Sequence, residues 1–245
     1  MATYKLVLEY VGTRYAGWQV QPGQPTVQGE VLDRVRRLLD EPELLVAGAA
    51  RTDAGVHAHG QIASFTSEKD WDPAKLRGAM NGILPDDIGV LEASIAPDGF
   101  HARRSATGRI YRYQFATGPY LSPFMAPFAF HYRPDLDVAA MGEAAAHLLG
   151  EHDFSSFRAS ADTSLSPVKT LRRSEVRREG SLILYEVEGS SFLQHMVRSI
   201  AGSLLDVGRG HRTASWIADA LRVRSRDAAG PTLPARGLFL EQVLY

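Results

Sequence analysis

The chain has 245 residues, 27 Lys and Arg against 28 Asp and Glu, and no cysteine, which suits one large or two small domains and excludes disulfides, thiolate nucleophiles and thiolate metal sites. At 44% hydrophobic and 22% charged residues, its makeup is that of an ordinary soluble globular protein with a substantial core. Met1 to Lys5 leads straight into a strand pattern without a signal segment, and no apolar run approaches the roughly 18 residues of a membrane helix, so a cytoplasmic location and no membrane partner are expected.

Tyr4, Leu6, Leu8 and Tyr10 alternate with Lys5, Val7 and Glu9, the pattern of a strand with one buried face. A loop bearing Gly and Pro runs through Pro25, and Thr26 is placed to cap a helix in which Val27, Val31, Val35, Leu38 and Leu39 recur at helical spacing. Glu30/Arg34 and Asp33/Arg37 form i, i+4 pairs on its outer face. Gly60 to Thr66 reads as a strand, Asp72-Pro73 opens a short helix, and Ile88 to Ala96 is a further strand.

Residues 103 to 116 place Arg109, Tyr111, Tyr113 and Phe115 on one strand face and Ile110, Arg112 and Gln114 on the other. Aromatics on such a face usually fill the core; for Tyr111 the alternative is the sheet's open face, near Asp53. Prolines 119, 123, 127 and 134 predict a loop over Tyr120 to Pro134, followed by a helix from about Val138 to Leu149 that ends at Gly150 as a C-cap. Strands near Thr170 to Arg177 and Leu182 to Glu188 flank Glu179-Gly180-Ser181 as a hairpin. Helices follow at Phe192 to Leu205, with Phe192, Met196, Ile200 and Leu204 inward and Arg198 off that stripe, and at Thr213 to Arg224; a strand closes the chain from Gly237 to Tyr245.

Strand, helix and strand recur coarsely in both halves, which predicts an α+β fold of two related halves sharing a mixed, largely antiparallel sheet. The boundary is expected near residue 104: residues 1–104 carry the Asp53 loop and residues 105–245 complete a cleft. Residues 1–102 hold 9 Lys and Arg against 14 Asp and Glu, a net −5, whereas residues 103–245 hold 18 against 14, a net +4. With 23 of the 27 cations being arginine, the second half suits phosphate contacts, although nucleotide bias in a genome yields the same composition.

The chemistry concentrates in Gly48-Ala49-Ala50-Arg51-Thr52-Asp53-Ala54-Gly55-Val56-His57-Ala58. Small residues on both sides let the backbone turn sharply and let a flat ligand approach the main chain, putting Asp53 at a loop tip. Arg51 favours the ionised carboxylate, which suits a nucleophile or base. The plain alternative is an Asx turn.

Arg51-Thr52-Asp53-Ala54-Gly55-Val56-His57-Ala58 with Gly60-Gln61 resembles the signature of the TruA family of tRNA pseudouridine synthases. Tyr10, Gly12 and Tyr15-Ala16-Gly17-Trp18-Gln19 resemble its opening motif, and Phe100-His101-Ala102-Arg103 its middle motif. Tyr111-Arg112-Tyr113, His152 to Phe157, Ser191-Phe192-Leu193 with Met196-Val197-Arg198, and Gly237 to Leu240 continue the series in order across nearly the whole chain. Ala50, Arg109 and Gln194 depart from the family pattern without removing a reactive group; Ala50 requires a backbone that avoids positive φ.

The resemblance implies the pseudouridine synthase fold, with helices on one face and a catalytic cleft on the other, and isomerisation of uridine to pseudouridine at positions 38, 39 and 40 of the tRNA anticodon arm, by a homodimer without cofactor or metal. It implies Asp53 as the essential catalytic residue, Tyr111 stacking on the flipped uracil, Arg198 pairing with the carboxylate, Leu238 packing beside the base and Arg51 guarding the site. Arg103, Arg104 and Arg112 are candidate phosphate contacts. Other readings stand beside it: a binding module that keeps tRNA affinity without turnover, a glycosidase pairing Asp53 with Glu92 or Asp98, a metal at His57 and His59, and a hydrolase using His152-Asp153.

Overall fold

The computed structural model describes all 245 residues, and the chain divides into two compact units: Met1–Thr107 with Leu240–Tyr245, and Gly108–Phe239. In the first unit, burial of Tyr4, Leu6, Leu8 and Tyr10 makes β1 (Ala2–Tyr10) a strand with one core face. It pairs antiparallel with β3 (His57–Ser67) and with β4 (Ile88–Ile95). The two-residue strand β2 (Ala47–Gly48) adds to β3 through Ala47 opposite Ser64 and Gly48 opposite Ala63.

Helix α1 (Val27–Leu39) is capped as expected: the Thr26 hydroxyl accepts from the Gly29 N–H at 3.3 Å, and Val27, Val31, Val35 and Leu39 are buried. Its outer face carries both expected ion pairs, Glu30–Arg34 and Asp33–Arg37. Helix α2 (Pro73–Ile83) starts where Asp72 accepts from the Lys75 N–H and Pro73 takes the first turn. The Asn81 side chain ties this helix to β4 by bonding both the N–H and the C=O of Val90, at 2.7 and 2.9 Å.

In the second unit, β5 (Gly108–Thr117) pairs antiparallel with β9 (Leu182–Gly189), and β9 with β8 (Val168–Glu179), the hairpin predicted around Gly180. β6 (Phe130–Tyr132) lies parallel to β5, and β7 (Gly150–Asp153) lies antiparallel to β8. Tyr113, Phe115, Phe154, Phe157 and Tyr185 fill the core. The last strand, β10 (Leu238–Leu244), serves both units, its first two residues in the second and the rest in the first. The strand order is β4-β1-β3-β10 in one unit and β10-β5-β9-β8-β7 in the other, an α+β fold whose pairing is mixed and largely antiparallel.

Several boundaries differ from the pattern in the sequence. β5 begins at Gly108 rather than 103, because the His101 imidazole accepts from the N–H groups of Arg103 and Arg104 and holds a turn there. Helix α3 (Val138–Ala146) stops early: Leu148 and Leu149 donate to carbonyls three residues back, and Gly150, at φ +95°, turns the chain into β7 instead of capping the helix. Helix α4 (Met196–Gly208) excludes Phe192, because His195 adopts the left-handed conformation, φ 62°, where an α-helix cannot continue. Helix α5 (Trp216–Val223) follows a turn that Trp216 closes onto Thr213.

The loop from Ala229 to Pro234 lies across α4. A Cβ at Gly202 would overlap the Pro231 carbonyl, and the Gly230 N–H donates to Ser203 Oγ at 2.8 Å. Gly202→Ala is expected to destabilise the protein by about 1–3 kcal/mol, because the obstacle is main chain that cannot rotate away. A shift of the urea midpoint at unchanged slope is the measurement.

Candidate active site

The Asp53 loop begins where the β2–β3 ladder ends. The Ala49 N–H still donates to the Ile62 C=O at 2.8 Å, but the next residue is held by a side chain. Gln61, fully buried, accepts from the Ala50 N–H at 3.1 Å and donates from Nε2 to the Ala50 C=O at 2.8 Å. The chain then leaves the sheet, turns through Asp53 with the Val56 N–H donating to the Asp53 C=O, and re-enters at β3. Ala50 is not among the residues with positive φ, as its side chain requires.

The segment after β1, with its 3₁₀ turn at Gly12–Arg14, clamps that excursion from outside. The Trp18 N–H donates to the Thr52 C=O at 3.1 Å, the Gly55 N–H donates to the Tyr15 C=O at 3.2 Å, and the Gly12 N–H donates to Nδ1 of buried His57 at 3.1 Å. Gly17, at φ +101°, is required here: a Cβ would stand 2.5 Å from the Thr52 carbonyl oxygen. The small residue Gly48, expected to admit a flat ligand, admits the Trp18 indole instead, which leaves no space for a Cβ. The outcome is an alternating loop in which Arg51 is exposed, Thr52 buried, Asp53 half-buried and Ala54 exposed.

Two polar clusters support the clamp. The Tyr10 hydroxyl and Thr52 Oγ1 are bonded at 2.8 Å in the interior, and Gln61 Nε2 donates to the same phenol at 3.5 Å. Burial pushes the Tyr10 phenol up to about 12, against the opposing effect of its bonds with Thr52 and Gln61. Nearer the surface, the Tyr15 hydroxyl donates to Asp87 at 2.6 Å and Arg14 Nε donates to the same carboxylate at 2.8 Å. Partial burial works against the charged form of Asp87, but the bonds from Arg14 and Tyr15 outweigh it and hold the carboxyl below its usual range.

The other candidate residues belong to the second unit. Tyr111, on β5, is 8% exposed and packs edge-on against Phe192, ring centres 5.0 Å apart. Phe192, read from the sequence as an inward helical position, is thus a loop residue against that ring. Arg198 lies in the first turn of α4, half-buried, and its Nε donates to the Leu233 C=O at 2.8 Å while the Leu233 N–H returns a bond to the Arg198 C=O. Burial drives the Tyr113 phenol well above its ordinary range, against the charges of Arg198 and Arg236, and its hydroxyl donates to the Pro234 C=O. Leu238, buried, opens β10 directly after the 3₁₀ turn Ala235–Gly237. Arg112 lies over the Phe239 ring at 5.4 Å, whereas Arg103 and Arg104 are exposed.

Asp53 and Arg51 therefore flank a buried threonine on one loop, and Tyr111, Arg198 and Leu238 are distributed over a strand, a helix and a strand start. Reading the motifs missed the functions of Tyr10, Thr52 and Gln61 as loop supports. The available signal was Gln61 itself, an amide between Gly60 and the apolar pair Ile62-Ala63. No group of three or more His, Asp or Glu is arranged to hold a metal ion, and His57 is engaged with the Gly12 N–H.

The sequence model of one family, described as tRNA pseudouridine synthase, matches residues 6–103 and 144–245. A protein of Myxococcus xanthus with the name tRNA pseudouridine synthase A is 44% identical over 246 residues, covering all of this chain and 92% of its own length. Proteins of the same name from Geobacter sulfurreducens and Xanthobacter autotrophicus are 41% and 45% identical, with complete coverage of both chains in each pair.

Because the folded value of Tyr10, about 12, lies above the ordinary phenol value near 10, its contribution to stability is complete below about pH 10 and is lost as pH rises through the folded value. The urea midpoint of the natural protein is expected to fall more steeply from pH 10 to 12 than that of Tyr10→Phe.

Proposed function

The chain belongs to the tRNA pseudouridine synthase A family, isomerases acting on uridine in tRNA, and from that premise we propose that it converts uridines 38, 39 and 40 of the anticodon arm with Asp53 as the catalytic residue. The observation that carries the role of Asp53 is a half-buried carboxylate on a loop whose main chain is bonded on both sides of it, to Trp18 before and Tyr15 after. A reactive group needs such a support, since positioning supplies much of the rate.

The reaction breaks the bond between uracil N1 and ribose C1′, turns the base and joins C5 to C1′; the C5 hydrogen leaves as a proton and N1 regains one. Nothing is oxidised or reduced, and one carboxylate serves either by adding covalently to the nucleotide or by abstracting a ribose proton. Tyr111 stacks on the displaced uracil and serves proton transfer at C5, Leu238 packs beside the base, and Arg198 and Arg51 are the cations of the substrate-binding set. Arg103, Arg104 and Arg112 supply phosphate contacts that offset the few kcal/mol of unstacking the target nucleotide. The working form is a homodimer in the cytoplasm.

Tritium release from unmodified tRNA labelled at uridine C5 tests this reading, because joining C5 to the ribose expels that hydrogen. Release by the natural protein, confined to positions 38 to 40 and abolished in Asp53→Asn with tRNA binding retained, is the expected result. A folded, tRNA-binding natural protein that releases no tritium refutes the enzyme and leaves a binding module. Release that survives in Asp53→Asn refutes the assignment of Asp53.

A further inference from the structure

Resting on the role of Asp53 given above, we propose that Gln61, Tyr10 and Thr52 form a directional hydrogen-bond relay that positions Asp53 for turnover without touching the RNA. Gln61 is fully buried and Tyr10 is 3% exposed, so any effect of either on the reaction must pass through the loop.

The direction of the relay follows from the backbone. Gln61 Oε1 accepts from the N–H groups of Ala50 and Ile62, at 3.1 and 3.2 Å, which makes the other end of the amide the donor Nε2. One hydrogen of that nitrogen goes to the Ala50 C=O at 2.8 Å, and the other points to the Tyr10 oxygen at 3.5 Å. With its oxygen accepting from Gln61, Tyr10 has its own hydrogen to donate to Thr52 Oγ1 at 2.8 Å, one residue from Asp53. The raised phenol value keeps that hydrogen in place throughout the neutral range. Gln61 thus sets where the chain leaves the sheet at Ala50, and Tyr10 sets where the buried side of the loop lies at Thr52. Between them they fix the direction of the intervening Arg51 and of the Asp53 carboxylate that follows. A displacement of about 1 Å in such a group costs on the order of 100-fold in rate.

The test compares tritium release at saturating and limiting tRNA for the natural protein, Tyr10→Phe, Thr52→Val, Thr52→Ser and the combined Tyr10→Phe/Thr52→Val, well below each melting temperature and per folded molecule. Tyr10→Phe and Thr52→Val are each expected to lower kcat by about 10- to 100-fold with KM for tRNA within about twofold, and the combined variant to be no slower than the slower single one, because both remove the same bond. Thr52→Ser, which keeps the hydroxyl, restores most of the turnover lost in Thr52→Val. A merely structural role would lower the melting temperature and leave kcat per folded molecule unchanged, and that result, or additive losses in the combined variant, overturns the relay. Asp53→Asn is run alongside. If it turns over at the natural rate, the role of Asp53 falls and the relay with it; if it is inactive while Tyr10→Phe has the natural kcat, the relay alone falls.

Discussion

The close approach of two backbone segments in the first unit is the constraint on which the candidate site depends. The chain after β1 lies against the chain between Thr52 and Val56 so tightly that Gly17 has no room for a side-chain carbon, and the exchanged main-chain bonds run from Trp18 to Thr52 and from Gly55 to Tyr15. A loop of small residues would otherwise be among the most mobile parts of a domain. Here the mobility is removed by bonds made to the loop's main chain, on both sides of position 53.

Such a loop works only because the groups beneath it are satisfied. Gln61, Tyr10 and Thr52 are polar and buried, and an unmet donor or acceptor at that depth costs about 1–3 kcal/mol, comparable with a sizeable part of a protein's whole stability. Together they bond one another and the Ala50 main chain. The second unit shows the same logic independently: Arg198 is tied to Leu233 in both directions, Tyr113 to Pro234, and Ser203 to Gly230 under the loop that crosses α4. In each unit, side chains from regular elements hold an irregular segment by its backbone.

This division of labour explains what was legible in the sequence. Strands with a clean two-residue alternation, such as Tyr4 to Tyr10, and helices with a cap and an apolar stripe, such as Thr26 to Leu39, declare themselves locally. Ala47–Gly48, Phe130–Tyr132 and Gly150–Asp153 are strands of two to four residues, too short to display any period, and they exist because a longer neighbour offers an open edge. The end of α3 and the start of α4 depend on backbone conformations at Gly150 and His195 that propensity does not dictate. Of the candidate site, the residues themselves drew attention to the Asp53 loop with Arg51, whereas Tyr111, Arg198 and Leu238 entered only through the resemblance of their motifs to a family. The supports were hidden because their bonds join separated parts of the chain: the Tyr10 and Thr52 side chains meet across 42 residues, and Gln61 bonds the main chain of Ala50.

The split of β10 has a consequence for how the protein comes into being. Leu240–Tyr245 belong with residues 1–107, and Gly60 on β3 lies so close to the Glu241 main chain that a side-chain carbon there would meet its carbonyl at 2.5 Å. On a ribosome, the second unit is therefore the first of the two to have all its residues, while the unit carrying Asp53 waits for Leu240–Tyr245 with an edge of β3 still uncovered. A chain that stops at Phe239 holds every residue of the second unit and lacks part of the first. Synthesis thus has a built-in order in which the framework of Asp53 is completed after the second unit.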